Sequence, residues 1–178
     1  LLVFVSIPIG WVLGILIALA RNARVPVLSQ LACVFVSFMR SVPMVIILFV
    51  SYYSTPLIIQ GYTASIGLSV DVSAVPAAAY AIAAFVLEQA AYSSEVFRSA
   101  ILAVDKGQIE AAESVGMTKP VAYVRIVLPQ AITSALPNLN GLFVGLVQGT
   151  SLAYFVGVYE VMATSTLLAN ASYAYIEA

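Results

Sequence analysis

Glu88, Tyr92, Glu95 and Ser99 recur at i, i+4, i+7 and i+11 within an otherwise apolar run, which puts them on one face of a helix. Gln89 sits beside them. Carboxylates and amides are hydrogen-bond acceptors, so this face could meet an ammonium group. Ionisable side chains inside a membrane are costly and mark a pathway or a paired site. On the first reading Glu88, Gln89, Tyr92 and Glu95 line a translocation path. On the second, Glu95 and Arg98, three residues apart, are a structural ion pair. The pair is the simpler account of Glu95. Glu88 has no obvious partner in sequence and is assigned to the path. Arg40 is the only charge in its own apolar stretch; it snorkels to an interface, meets a carboxylate of the solute, or pairs with Glu88 or Glu95.

Composition sets the elements that must position these residues. Of 178 residues, 62% are hydrophobic and 8% charged, against about 45–50% and about 25% in soluble domains. Such a chain is an integral membrane protein, with lipid as its surroundings. It has no His, and its single Cys33 lies in an apolar run, which excludes a His-ligated metal site, a His general base and an internal disulfide framework. No metal or cofactor is expected. The chain carries no P-loop of its own. Its net charge of −1 argues against nucleic acid as a partner.

A membrane-crossing helix needs about 20 apolar residues. Leu1 to Ala20 is one such run, and the chain reads as starting part-way into a protein. A second span falls between Val27 and Tyr53, with Pro43 marking a kink or a helix start. Ser54 to Val75, rich in Ser, Thr and Gly, reads as an aqueous loop. A third span covers Pro76 to Ile101 and a fourth runs from Pro129 to about Val158. Pro137 and Asn138-x-Asn140 suggest that this last helix is interrupted, as backbone lining a cavity can be. Tyr154 to Ala178 holds Glu160, Asn170 and Glu177 and reads as pore-lining or interfacial. Arg21, Arg24, Arg98, Lys106, Lys119 and Arg125 cluster on two connections, which places those connections in the cytoplasm and the first residue outside.

The connection from Asp105 to Arg125 is patterned. Asp105-x-x-Gln108 resembles a capping box, and Gly116 is placed to end the following helix in a left-handed position. Thr118 can cap again, Pro120 suits a first turn, and Pro129 breaks or kinks the segment after it. The result is a short helix with Glu110 and Glu113 on one side and the small residues Ala111, Ala112 and Val115 open to close approach by another surface. It either docks on a partner or rests on lipid headgroups.

Here a resemblance enters. Glu110-Ala111-Ala112, three residues, Gly116, nine residues, Ile126, one residue and Leu128-Pro129 resembles the E-A-A-x3-G-x9-I-x-L-P loop of ABC-transporter permease subunits. Ala91-Tyr92-x-x-Glu95-x-x-Arg98 and Lys106-Gly107-Gln108-x-Glu110-Ala111-Ala112 resemble the corresponding runs of polar amino-acid uptake permeases, with cystine-type permeases nearest. Leu136-Pro137 and Gly149-Thr150-Ser151-Leu152-Ala153 match later pieces, so the likeness covers nearly the whole chain. Departures bear on the substrate: Arg40-Ser41-Val42-Pro43 stands for the usual R-G-T-P, Gln148 for a common Lys, and Glu88 is an extra acid.

The resemblance implies an all-α integral membrane protein, a type I importer (MetI-like) permease bundle. Four to five transmembrane helices would fall in this piece, residues 1–178 forming one transmembrane domain truncated at both ends. It implies a bacterial cytoplasmic membrane, alternating access, and a coupling helix within 105–125 whose Gln108, Glu110, Ala111, Ala112, Glu113 and Gly116 meet a separate ATP-binding subunit. An extracytoplasmic binding protein, a second permease copy or paralogue, lipid and a small amino acid complete the partners; the chain itself is not an enzyme. The acid on the polar face would then meet the ammonium of that amino acid. Gly141, Gly145 and Gly149, one turn apart, are read as a helix-packing seam, within the subunit or across a permease dimer; Gly10 and Gly14 repeat the pattern. An ion-gradient-driven secondary transporter is the alternative, but it has no need of a capped, glycine-ended cytoplasmic helix.

Overall fold

The computed structural model describes residues 1–22 and 26–173, and all regular structure among them is helical. Arg24 and Glu177, used above, lie outside the described residues. Helix α1 covers Leu2–Asn22 and α2 Pro26–Ser41. A bend at Val42 and Pro43 leads into α3, Met44–Ser65. A short 3-10 turn over Val72–Ala74 precedes α4, Ala77–Leu102. Then come α5, Lys106–Ser114, the long α6, Lys119–Val156, and α7, Val161–Ser172.

Three of these, α1, α3 and α6, are long and apolar enough to cross a membrane. Helix α4 has the length, 26 residues, about 39 Å at 1.5 Å per residue, but its polar face dilutes its apolar character. The contacts explain how that is tolerated. Helix α4 is the centre of the bundle, packed along α1 and touched by α2, α3 and α6. Its polar side chains therefore face protein more than lipid. Phe85 and Ala84 on α4 are fully buried, in a core shared with Leu48 of α3 and Leu146 and Ala153 of α6.

Helices α1 and α4 run parallel. A Cβ on Gly10 would lie 2.5 Å from Gln89 Cβ, and one on Gly14 would lie 2.0 Å from Ser93 Oγ and 3.1 Å from Ser94 N. The partner numbers rise together, as they must for the first and third passes of an up-down-up chain. These two glycines allow the backbones to touch.

Several expectations are corrected. Helix α3 runs through to Ser65, so only the residues after it form the connection once assigned to Ser54–Val75. Thr63 Oγ1 donates to Ile59 O at 2.8 Å and Ser65 Oγ to Tyr62 O at 2.6 Å; hydroxyls that bond back to their own helix need no water. The turn comes at Gly67, with φ +76. The second span is therefore Met44–Ser65. Helix α2, 16 residues or about 24 Å, is short of the roughly 30 Å hydrocarbon core.

The fourth span starts at Lys119, not Pro129. A π turn over Tyr123–Val127 lets Leu128 N–H reach Tyr123 O, and Pro129 follows within the first turn of regular helix. Pro137 lies inside that helix, which is uninterrupted from Leu128 to Gly149. The break expected at Pro137 falls later, in a 3-10 stretch over Thr150–Val156 closed by Gly157 at φ 78. Glu160 then caps α7, accepting from Ala163 N–H at 2.8 Å, so its carboxylate has a local structural partner. With 12 residues, α7 is too short to cross.

Candidate functional site

Two regions gather the sequence-selected residues. The first is α5, which follows α4 in the chain and packs on the start of α6. Asp105 takes the cap position and accepts from Gly107 N–H at 2.6 Å. The reciprocal box with Gln108 is replaced by this single cap, with Gln108 N–H bonded to Asp105 O at 3.0 Å. At the other end Gly116 sits at φ +86, Gly116 N–H bonds Glu113 O at 3.0 Å and Met117 N–H bonds Ala112 O at 3.0 Å. That pair of bonds is a Schellman closure, which needs a left-handed residue at the position Gly116 holds.

Helix α5 packs on the first turns of α6, and Ala112 is the residue turned inward, 4% exposed. It is therefore not open to an approaching surface, contrary to the sequence expectation. Gln108, Glu110, Ala111, Glu113 and Gly116 are exposed, and Val115 is 74% exposed. Glu113 lies 3.8 Å from Lys119 Nζ, an exposed pair worth little by itself. The outer side of α5 is thus acidic, small and apolar in alternation, and it is exposed among the described residues.

The second region is the polar face of α4, which divides in two. Glu95 is gripped by two arginines: Arg98 Nη2 pairs with its Oε1 and Arg21 Nη1 with its Oε2, and Arg98 Nε reaches Oε2 at 3.4 Å. The Glu95–Arg98 pair expected from spacing is present. Arg21 was missed, because only the parallel packing of α1 on α4 brings it there. Glu95 belongs to this ion cluster, the simpler of the two accounts that the spacing allowed.

The other half is a cleft of about 200 Å³. Glu88, Gln89 and Tyr92 line it from α4; Gly141, Gly145 and Gly149 line it from α6, and Met44 and three leucines of α6 complete it. Gln89 is 3% exposed, and its buried Oε1 has no hydrogen-bond partner among the described residues. Glu88 is half-buried and takes no part in the ion pairs of the described residues. Arg40 is exposed, with its guanidinium 5.5 Å from the Tyr92 ring centre. It lies against Tyr92 and pairs with neither Glu88 nor Glu95.

Among the described residues the three glycines form no packing seam. A Cβ on any of them would meet nothing within 4 Å, whereas Gly10 and Gly14 are tightly occupied. Glycine in a helix costs about 1 kcal/mol against alanine on aqueous scales. No contact among the described residues offsets that cost on α6.

A buried polar face, a parallel helix pair and a capped helical knob beside long apolar helices define a multi-span membrane protein. The chain belongs to the family of binding-protein-dependent transport system inner membrane components, whose family model matches residues 10–178. It is 41% identical over 164 residues to the probable amino-acid permease protein YxeN of Bacillus subtilis (strain 168), covering 92% of this chain and 69% of that protein. It is 37% identical over 167 residues to the L-cystine transport system permease protein TcyL of the same organism, covering 94% and 67%. Among solved structures, an amino acid ABC transporter with histidines superposes with a TM-score of 0.80 at 27% identity, over 99% of this chain and 76% of that one. The all-α bundle is the MetI-like permease fold expected from the sequence.

Proposed function

We propose that this chain is the permease subunit of an ATP-binding-cassette importer that moves a polar amino acid, cystine among the candidates, across the bacterial cytoplasmic membrane by alternating access. The observation that carries this reading is α5: a helix of 9 residues, fixed at both ends by local hydrogen bonds and uncovered on its outer side. A rigid, capped knob can transmit a push; a frayed one would absorb it.

Gln108, Glu110, Ala111, Glu113 and Gly116 would seat in a groove of a separate ATP-hydrolysing subunit, with Ala112 holding the knob to α6. The knob would lie in the cytoplasm and the first residue outside, which agrees with the parallel first and third passes. Closure of two ATPase subunits would move two permease copies, or this chain and a paralogue, from inward-open to outward-open. An extracytoplasmic binding protein would deliver the solute. The permease contributes differential affinity between two states, which is the only way a ligand shifts such an equilibrium. The path would pass Glu88, Gln89 and Tyr92. The sequence names of the relatives, amino-acid and cystine permeases, support the substrate class.

The test is co-purification with candidate ATPase subunits, followed by ATP hydrolysis and uptake across an amino-acid panel. Amino-acid-stimulated hydrolysis by the assembled complex is expected. Uptake that needs an ion gradient and no ATPase subunit would instead favour a secondary transporter.

A further inference from the structure

We propose that Gly141, Gly145 and Gly149 are the size-setting wall of a cleft that takes a protonated amine, with the Glu88 carboxylate and Gln89 Oε1 as its acceptors. This deepens the importer reading above and rests on it.

Two independent observations meet at this cleft. The glycine face of α6 opens onto empty space, with nothing within 4 Å of any Cβ that could be added. The same space is lined from α4 by Gln89, 3% exposed, whose Oε1 lacks a donor among the described residues. A buried acceptor without a donor carries a desolvation penalty that a ligand can remove. Glu88 adds a carboxylate to the same cleft and no Lys or Arg lines it. The ligand group that satisfies an unpaired carboxylate and an amide oxygen together, without a cation from the protein, is a cationic N–H donor.

Size follows from the glycines. At about 200 Å³ the cleft is below the roughly 300–1,000 Å³ of drug-sized pockets, so it accepts a small solute or one end of a larger one. Three side chains grown from Gly141, Gly145 and Gly149 would take up part of that volume, since these glycines line it and nothing among the described residues lies within 4 Å of an added Cβ. Their absence keeps the cleft open. The helix-propensity cost of three glycines then has a counterpart in substrate passage.

The experiment uses the permease assembled with its ATPase and binding-protein partners in proteoliposomes, with labelled alanine, glutamine, lysine, cystine and glutamate as probes. Gly145→Ala should lower uptake of the larger substrates at least several-fold while small ones persist, and Gly145→Leu should abolish both. Glu88→Gln should raise KM at least tenfold for substrates carried by the wild type. As a measurement that does not depend on transport, Gly145→Cys in a Cys33→Ser background should react with a cationic thiol reagent and be protected by saturating transported amino acid.

An unchanged substrate panel in both Gly145 variants would overturn the proposal. So would unprotected labelling, or loss of the permease pair on size-exclusion chromatography of Gly145→Ala, which would make the glycines a seam between copies. Failure of the wild type to transport any amino acid with an ATPase subunit would instead sink the importer reading itself.

Discussion

Arg21, in the last turn of α1, donates to the Glu95 carboxylate of α4 across 74 positions of sequence. That contact locks the far end of the parallel pair which Gly10 and Gly14 bring together. The three side chains of the cluster are only 15%, 25% and 28% exposed for Arg21, Glu95 and Arg98. One carboxylate thus serves two half-buried guanidinium groups, and neutralising it removes the charge they share.

Glu95→Gln is therefore expected to lower stability by about 1–3 kcal/mol, the cost of leaving buried polar groups unsatisfied. Arg21→Met should cost less, since Arg98 still holds the acid. The double variant should fall short of the sum of the singles by about 0.5–3 kcal/mol, the range for residues in one network. Thermal unfolding of the purified protein in detergent measures all three, and simple additivity would show that the cluster does not act as a unit.

The glycines of α1 and α6 make opposite predictions. Gly14→Ala places a Cβ 2.0 Å from Ser93 Oγ and should destabilise by about 1–3 kcal/mol, as overpacking does. Gly141→Ala meets nothing within 4 Å and should leave stability unchanged or raise it by up to about 1 kcal/mol through helix propensity. The same thermal assay separates them. A destabilised Gly141→Ala would mean that a second chain covers that face.

These contrasts also show what could be read from residues alone. The closure at Gly116 was legible because a left-handed helix end is decided within six residues. The long apolar run of α1 was legible because lipid imposes length and composition. The extent of α3 was not: Thr63 and Ser65 look like loop residues, yet their hydroxyls return to carbonyls three and four residues back. The continuation of α6 through Pro129 was hidden too, because a π turn just before it resets the hydrogen-bond ladder. The fate of Glu88 and Glu95, equal in spacing and opposite in environment, depended on what packs beside them. Only the fold places Arg21 at one and leaves the other facing a cleft.

Asp105→Ala removes the side chain that accepts Gly107 N–H. Loss of a cap costs about 0.5–2 kcal/mol, and the effect should be local to α5. Hydrogen exchange at Gly107 and Gln108 should quicken while amides in α1 and α4 keep their protection. Acceleration spread through α4 would show that α5 supports the bundle as well as projecting from it.

Gly116→Ala tests the knob at its other end. An L-residue held at φ +86 costs roughly 1–2 kcal/mol, enough to distort the Schellman closure without unfolding helices that share no contact with it. Glu110→Lys changes the charge of the outer side and leaves the backbone alone. If the knob carries force from an ATPase, Gly116→Ala should lower uptake several-fold per ATP hydrolysed, and Glu110→Lys should weaken co-purification with the ATPase subunit. Both readouts come from the same reconstituted complex. Normal uptake and normal complex formation in both variants would remove α5 from the coupling step, whatever its part in the fold.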